Sequence, residues 1–124
     1  MIANELLDNL PFDLIEADGQ QWHEVCVGIK ESGNLTEVIS DSCYPKICLE
    51  PKIGSRIPIQ DIARSWVVSV LDLLEAGSLL VIDYTSTTLE MATRPVTEWL
   101  RTYCGHNSGN SPLYLPGSRD ITVE

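Results

Sequence analysis

Gly77-Ser78-Leu79-Leu80-Val81-Ile82-Asp83-Tyr84 decides the fold. Residues 79–82 form an unbroken apolar run, opened by Gly77 and followed by the polar cluster Thr85-Ser86-Thr87-Thr88. A short apolar run with such limits reads as a strand buried on both faces. That burial implies a parallel sheet with helices on each side. Asp83 and Tyr84 then stand at the carboxyl end of the strand, where open α/β sheets place their ligands.

The preceding segment supports the same architecture. Over 59–76, Ile62, Ala63, Trp66, Val67, Val70 and Leu74 recur at helical spacing and form one face. Pro58 suits the first turn of that helix, and Gly77 suits the residue just past its end. A helix feeding a buried strand is the second half of a β-α-β crossover, so a first parallel strand is expected earlier. Met1-Ile2-Ala3 reads as the end of that strand.

Working outward, Asn4 to Pro11 shows a short helical pattern, with Asn4 as a candidate N-cap. Two strand-like runs, 12–17 and 22–29, flank the hairpin signal Asp18-Gly19, and 35–39 returns as a third strand after Ser32-Gly33-Asn34. These make an antiparallel meander over 12–39. The stretch 40–57 has no clear period and is expected to be a loop. Pro95 opens a short helix, and the rest of 85–124 is expected to be loop-rich, with a strand or helix entry at Asp120. The expected fold class is α/β: a partial sheet with two parallel core strands, joined by an inserted β-meander. The organisation is one partial domain over 1–124, with the helix and core strand at 59–84.

Charge and composition exclude some functions. The chain has 124 residues, with 18 acidic against 8 basic, for a net charge of −10. Nucleic acid and anionic membrane both need a basic surface, so neither is expected as a partner. No apolar run approaches the ~20 residues needed to span a bilayer. Glu5 and Asp8 lie where a signal peptide would be basic, which favours a cytoplasmic location. Cys43 and Cys48 have the spacing of a zinc half-site, but Cys26 and Cys104 do not form a second half, so no metal is expected. No glycine-rich turn joins a strand to a helix, so no nucleotide cradle is expected within the chain. No G-x-S-x-G elbow is present to support a hydrolase.

Four segments carry a family resemblance, in order along the chain. Asn4-Glu5-Leu6-Leu7-Asp8-Asn9-Leu10-Pro11 resembles the N-E-(L/F)-(L/F)-D-A-L-P segment of MidA-type S-adenosylmethionine-dependent methyltransferases. Residues 77–84 resemble their G-x-L-L-x-I-D-Y strand. Glu98 to His106 is similar to their (T/W)-L-R-x-Y-x-x-H segment, and Pro116 to Thr122 to their P-G-x-x-D-I-T segment. The resemblance implies a Rossmann-like sheet, S-adenosylmethionine as cofactor and methylation of a protein, with arginine as the acceptor in a mitochondrial family member. It would place a eukaryotic member in the mitochondrial matrix. The family's glycine-rich cofactor turn lies upstream of the N-E-L-L-D segment. A separate N-terminal half, or self-association through an exposed sheet edge, is therefore an expected partnership. Thr85 stands where the family usually has glycine, and Cys104-Gly105 where it has a basic pair, so loop geometry and charge differ there.

The resemblance also sharpens the candidate site. A guanidinium acceptor needs carboxylates to hold its charge and an orienting group beside the transferring methyl. Asn4, Glu5 and Asp8 are the candidate catalytic residues. Asp83, Tyr84, Arg101, Tyr103 and His106 are the candidate substrate-binding residues. For each there is a plainer role: Asp83 as a loop cap, Tyr84 as packing, and Arg101 tied to a carboxylate such as Asp120. On an extended segment Arg101 and Tyr103 share a side at period two.

Overall fold

The computed structural model describes residues 1–44, 47–105, 107–109 and 111–124. The chain runs through β1 (Ile2–Asn4), a 3₁₀ turn (Leu7–Asn9), β2 (Asp13–Ala17), β3 (Trp22–Ile29) and β4 (Leu35–Cys43). It continues with β5 (Arg56–Ile59), α1 (Asp61–Leu73), β6 (Leu80–Ile82), α2 (Thr88–Thr93) and α3 (Val96–Trp99). It ends with β7 (Leu100–Cys104), β8 (Asn107–Ser108) and β9 (Asp120–Val123).

The expected parallel pair is present. β1 and β6 run parallel with Ile2 opposite Leu80, Ala3 opposite Val81 and Asn4 opposite Ile82. The Glu5 amide then donates to the Ile82 carbonyl at 2.8 Å, which carries the pairing one step past the strand ends. The two carboxyl tips, Asn4-Glu5 and Asp83-Tyr84, therefore stand side by side. The burial expected for β6 is not found: Leu80 is 52% and Ile82 51% exposed. A strand's faces are covered by layers packed above and below the sheet, and among the described residues those layers leave Leu80 and Ile82 open.

The meander extends further than its pattern suggested. β2, β3 and β4 pair antiparallel as expected, but β4 reaches Cys43, and β5 adds to the far side of β2 to give the order β4-β3-β2-β5. Pro58 lies inside β5, opposite Leu14, rather than in the first turn of α1. An edge strand tolerates a proline because one row of its amides needs no ladder partner. The helix starts at Asp61 and ends at Leu73, shorter than the 59–76 read from its pattern. Ala63 and Val70 are its buried residues, in the middle of the apolar face.

The 85–124 segment holds more regular structure than a loop-rich tail. β7 pairs antiparallel with β9 on one side and β8 on the other. α2 begins with a reciprocal cap: the Glu90 amide donates to the Thr87 hydroxyl, and the Thr87 amide donates to the Glu90 carboxylate. Such a cap satisfies two amides left over at a helix start.

Two apolar cores hold these layers. Ile15, Ala17, Trp22 and Ile57 form one inside the meander. Met91, Trp99 and Val123 form the other beneath β7 and β9, with Phe12 and Leu14 packed against it. α2 joins the two, since Met91 belongs to the second and Ala92 packs on the first. Full burial of an Ile or comparable side chain is worth about 1.5–3 kcal/mol, and Ile15, Ile57, Val123 and Trp99 are all essentially without exposure.

Candidate functional site

The site is built where the strand tips meet the face of β7 and β9. Asp83, just past β6, accepts from the Leu6 amide at 3.1 Å and the Leu7 amide at 2.8 Å through Oδ2. Its Oδ1 accepts from the Tyr84 amide at 2.9 Å. Amides at the start of a helical turn have no partner within the turn, and here a carboxylate from the neighbouring strand supplies it. Asp83 thus ties the turn to the tip of β6, and the turn itself lies against β9. Asn4 does not cap that turn, as its sequence position suggested. It is the last residue of β1, it is exposed, and the cap position belongs to Leu6.

Glu5 occupies the corner between strand and turn with a φ of +46°. Few non-glycine residues adopt this left-handed backbone, and holding one there costs of order 1–3 kcal/mol. Three residues on, Asp8 is only 5% exposed. Burial raises its carboxyl above the ordinary range, and the negative charge of Asp83 raises it further; the Asn9 side chain opposes this and Glu5 adds to it. The Asn9 amide donates to Asp8 Oδ1 at 2.8 Å. Asp8 is therefore a buried acid among acids, the environment that suits a carboxyl to hold or release a proton.

The opposite wall comes from the C-terminal sheet. Arg101 pairs across the ladder with Thr122, and Tyr103 with Asp120, so these four side chains share a face, as period two requires. Glu5, Asp8, Tyr84, Arg101, Tyr103 and Glu124 line a pocket of about 300 Å³, and Asp120 and Thr122 add to its wall. Asp83 lines the adjoining cavity with Asp8 and Tyr84. Five of the eight residues singled out by sequence thus meet at one pocket. Asn4 is not among its lining residues, and His106 lies outside the described residues.

Glu124 was missed by sequence reasoning. The tie expected between Arg101 and Asp120 goes instead to Glu124, whose Oε1 accepts from Arg101 Nη2 at 2.6 Å. Its Oε2 accepts from Arg94 Nη2 at 2.7 Å. One carboxylate clamps two guanidinium groups from segments 30 and 23 residues away. The only available signal was an acid placed one period-two step beyond Thr122 on the expected final strand.

S-adenosylmethionine sets a further requirement on such a site. Its adenosyl part needs a close backbone approach at a turn from strand to helix. Here β5 reaches α1 through Gln60, and β6 reaches α2 through 83–87, neither containing glycine. The left-handed glycines at 19, 33, 54, 77, 105 and 117 lie in turns that do not join a strand to a following helix. The described residues therefore do not fit the adenosyl end of such a site. No group of three metal-ligating side chains is found among them, and no helix is long and apolar enough to cross a membrane.

Open α/β sheets bind their ligands beyond the carboxyl ends of the strands, and the parallel pair of this α/β protein ends beside a charged pocket. Residues 1–124 match the family described as "Putative S-adenosyl-L-methionine-dependent methyltransferase", and the chain belongs to that family. Two solved structures share its fold. One is a protein from Burkholderia thailandensis crystallised with S-adenosyl-homocysteine bound, 24% identical over 99% of this chain, with a TM-score of 0.85. The other is a native crystal structure of a protein of the same superfamily and organism, with the same identity and TM-score. The chain spans 33% of the length of the first and 34% of the second, about a third in each case. No curated protein matches the chain.

Proposed function

We propose that this chain forms the acceptor-binding part of a MidA-type methyltransferase whose substrate is an arginine side chain of a protein. The observation that carries the reading is the pocket at the strand tips, where Glu5, Asp8, Asp120 and Glu124 surround a space of about 300 Å³. S-adenosylmethionine, when bound, supplies an electrophilic methyl group. The residues of this chain hold the acceptor. Glu5 and Asp120 offset the charge of a guanidinium and orient one nitrogen. Asp8, whose burial and acidic neighbours make its carboxylate a stronger proton acceptor than an ordinary aspartate, takes up the proton that the nitrogen loses. Tyr84 and Tyr103 wall the pocket and limit water. Arg101, held by Glu124, keeps the wall in place.

Because the described residues lack an adenosyl cradle, activity requires a glycine-rich strand–turn–helix from outside them. The expected outcome has two parts. Calorimetric titration of the 124 residues with S-adenosylmethionine gives no micromolar binding. Combined with a cradle-bearing half encoded upstream, the chain methylates arginine-containing protein, and Glu5→Gln lowers kcat at least about 100-fold. A locus without such a frame, or a Glu5→Gln variant of unchanged kcat, would sink the reading.

A second reading rests on the exposed apolar residues of β1 and β6. They favour a non-catalytic interaction module that self-associates or docks another chain along the free sheet edge. A monodisperse monomer in size-exclusion chromatography would count against it.

A further inference from the structure

Arg94 directly follows α2 and joins both walls of the strand-tip pocket through one nitrogen. Its Nη2 donates to Ser86 Oγ at 3.0 Å and to Glu124 Oε2 at 2.7 Å. Those two bonds use both protons of that nitrogen. Ser86 lies two residues after Tyr84 in the loop that leaves β6, and Glu124 follows β9. The two acceptors also line one cavity beside the pocket, with Asp8, Asp83 and Tyr84.

Each acceptor is fixed from a second direction. The Ser86 hydroxyl donates to the Glu90 carboxylate at 3.4 Å, the same carboxylate that accepts from the Thr87 amide at the start of α2. The Glu124 amide donates to the Trp99 carbonyl at 3.1 Å, just before β7. The consequence falls on two pocket residues. Tyr84 stands between Asp83, tied to the Leu6 and Leu7 amides, and Ser86, tied to Arg94. Arg101 depends on Glu124, to which it donates at 2.6 Å; its other bond, to the Glu98 carbonyl, is long at 3.4 Å. Exposure gives the direction of control: the Glu124 side chain is 16%, Arg94 32% and Arg101 43% exposed. The less exposed guanidinium fixes the carboxylate, and the carboxylate then aims the outer one. Charge-assisted bonds of this kind are directional as well as strong, whereas an exposed ion pair by itself holds little.

We propose that Arg94 is a positioning residue that sets the gap between Tyr84 and Arg101, and so the shape in which the strand-tip pocket receives a guanidinium. This deepens the acceptor reading above and rests on it for the ligand. Arg94 touches no substrate in this role. It acts through Ser86 on one wall and through Glu124 on the other.

The test uses the 124-residue chain with isotope-labelled arginine side chains, and arginine capped at both ends as the probe. Arg94→Lys keeps the charge but replaces a planar fork by a flexible point charge. In the unaltered protein the Arg101 Nε–H signal relaxes as an ordered group. In Arg94→Lys it relaxes as a free side chain, and the dissociation constant of the probe rises at least about fivefold. Arg94→Met gives the same two changes. It also removes a cation beside an acidic pocket, so a role through charge alone would tighten the probe instead. Ser86→Ala cuts one bond of the bridge and leaves the Glu124 pair intact. It should lower the order parameter of the Tyr84 amide with Arg101 still ordered, and it decides alone should the Arg94 variants fail to fold.

An Arg94→Lys variant with Arg101 still ordered, one that loses only urea resistance, tighter probe binding by Arg94→Met, or an unchanged Tyr84 in Ser86→Ala would overturn the proposal. The two readings fail separately. An unaltered chain that does not bind the probe removes the acceptor reading, while order at Arg101 and Tyr84 still decides on Arg94. A probe bound equally well by the unaltered chain and by Arg94→Lys keeps the acceptor site and removes the positioning role.

Discussion

The parallel pair and the C-terminal sheet are held by different forces. β7 and β9 close over Met91, Trp99 and Val123, and Trp99 has no exposure at all. β1 and β6 leave Ile2, Leu80 and Ile82 half exposed or more, and the turn after β1 is tied to the tip of β6 by hydrogen bonds to Asp83. An antiparallel ladder can close with nearby chain, whereas a parallel one needs crossover layers to cover it. The site lies on the seam between them. One wall is set by packing and the other by a single carboxylate.

The largest expected effect breaks the packed wall. Trp99→Ala removes a buried indole whose Nε1 donates to the Met91 carbonyl at 3.1 Å. It should cost about 3–5 kcal/mol in urea unfolding. A loss below about 1 kcal/mol would mean that this core is not what holds β7 and β9.

A smaller change should loosen the other wall alone. Asp83→Ala strands the Leu6 and Leu7 amides and should cost about 0.5–2 kcal/mol, as for a lost cap. Hydrogen exchange should speed up at those two amides and stay unchanged around Trp99. Exchange that rises equally in both places would erase the contrast drawn between the walls.

The smallest expected effect has the opposite sign. Asp8 has a folded-state pKa above its unfolded value. Its contribution to stability is thus present below the unfolded pKa of about 3.9 and lost as pH rises through the folded value. Asp8→Asn removes that penalty and should add up to about 1 kcal/mol at neutral pH, while methyl transfer by the completed enzyme falls if Asp8 has the proton-accepting role proposed above. The gain should shrink as pH falls and the native carboxyl takes up its proton. A melting temperature that falls at pH 7 would show that Asp8 is better ionised than its surroundings suggest.

Much of this seam is legible in the sequence, for identifiable reasons. The run at 79–82 and the helical spacing before it locate a strand tip, and the adjacency of Asn4-Glu5 to Asp83-Tyr84 follows from parallel pairing. Arg101 and Tyr103 share a face by period alone. The rest depends on distant partners. β5 hides behind Pro58, which argues against a strand unless the strand is known to be an edge. Asp83 capping Leu6 and Leu7 spans 77 and 76 residues, and no local pattern announces it. Glu124 gains its role only once β9 lies beside β7. The exposure of β6 could not be read from its composition, because an apolar run records what a strand can bury and not what stands beside it.

The left-handed corner at Glu5 sets two kinds of selection against each other. Glycine at that position would be at ease, so a screen that rewards heat tolerance would favour Glu5→Gly. A screen that rewards the acceptor-binding role proposed for Glu5 would discard it, since the carboxylate goes with the side chain. Improvement by thermal screening alone would therefore drift toward a sturdier molecule that had lost the carboxylate at its strand tip, with nothing in its melting curve to give warning.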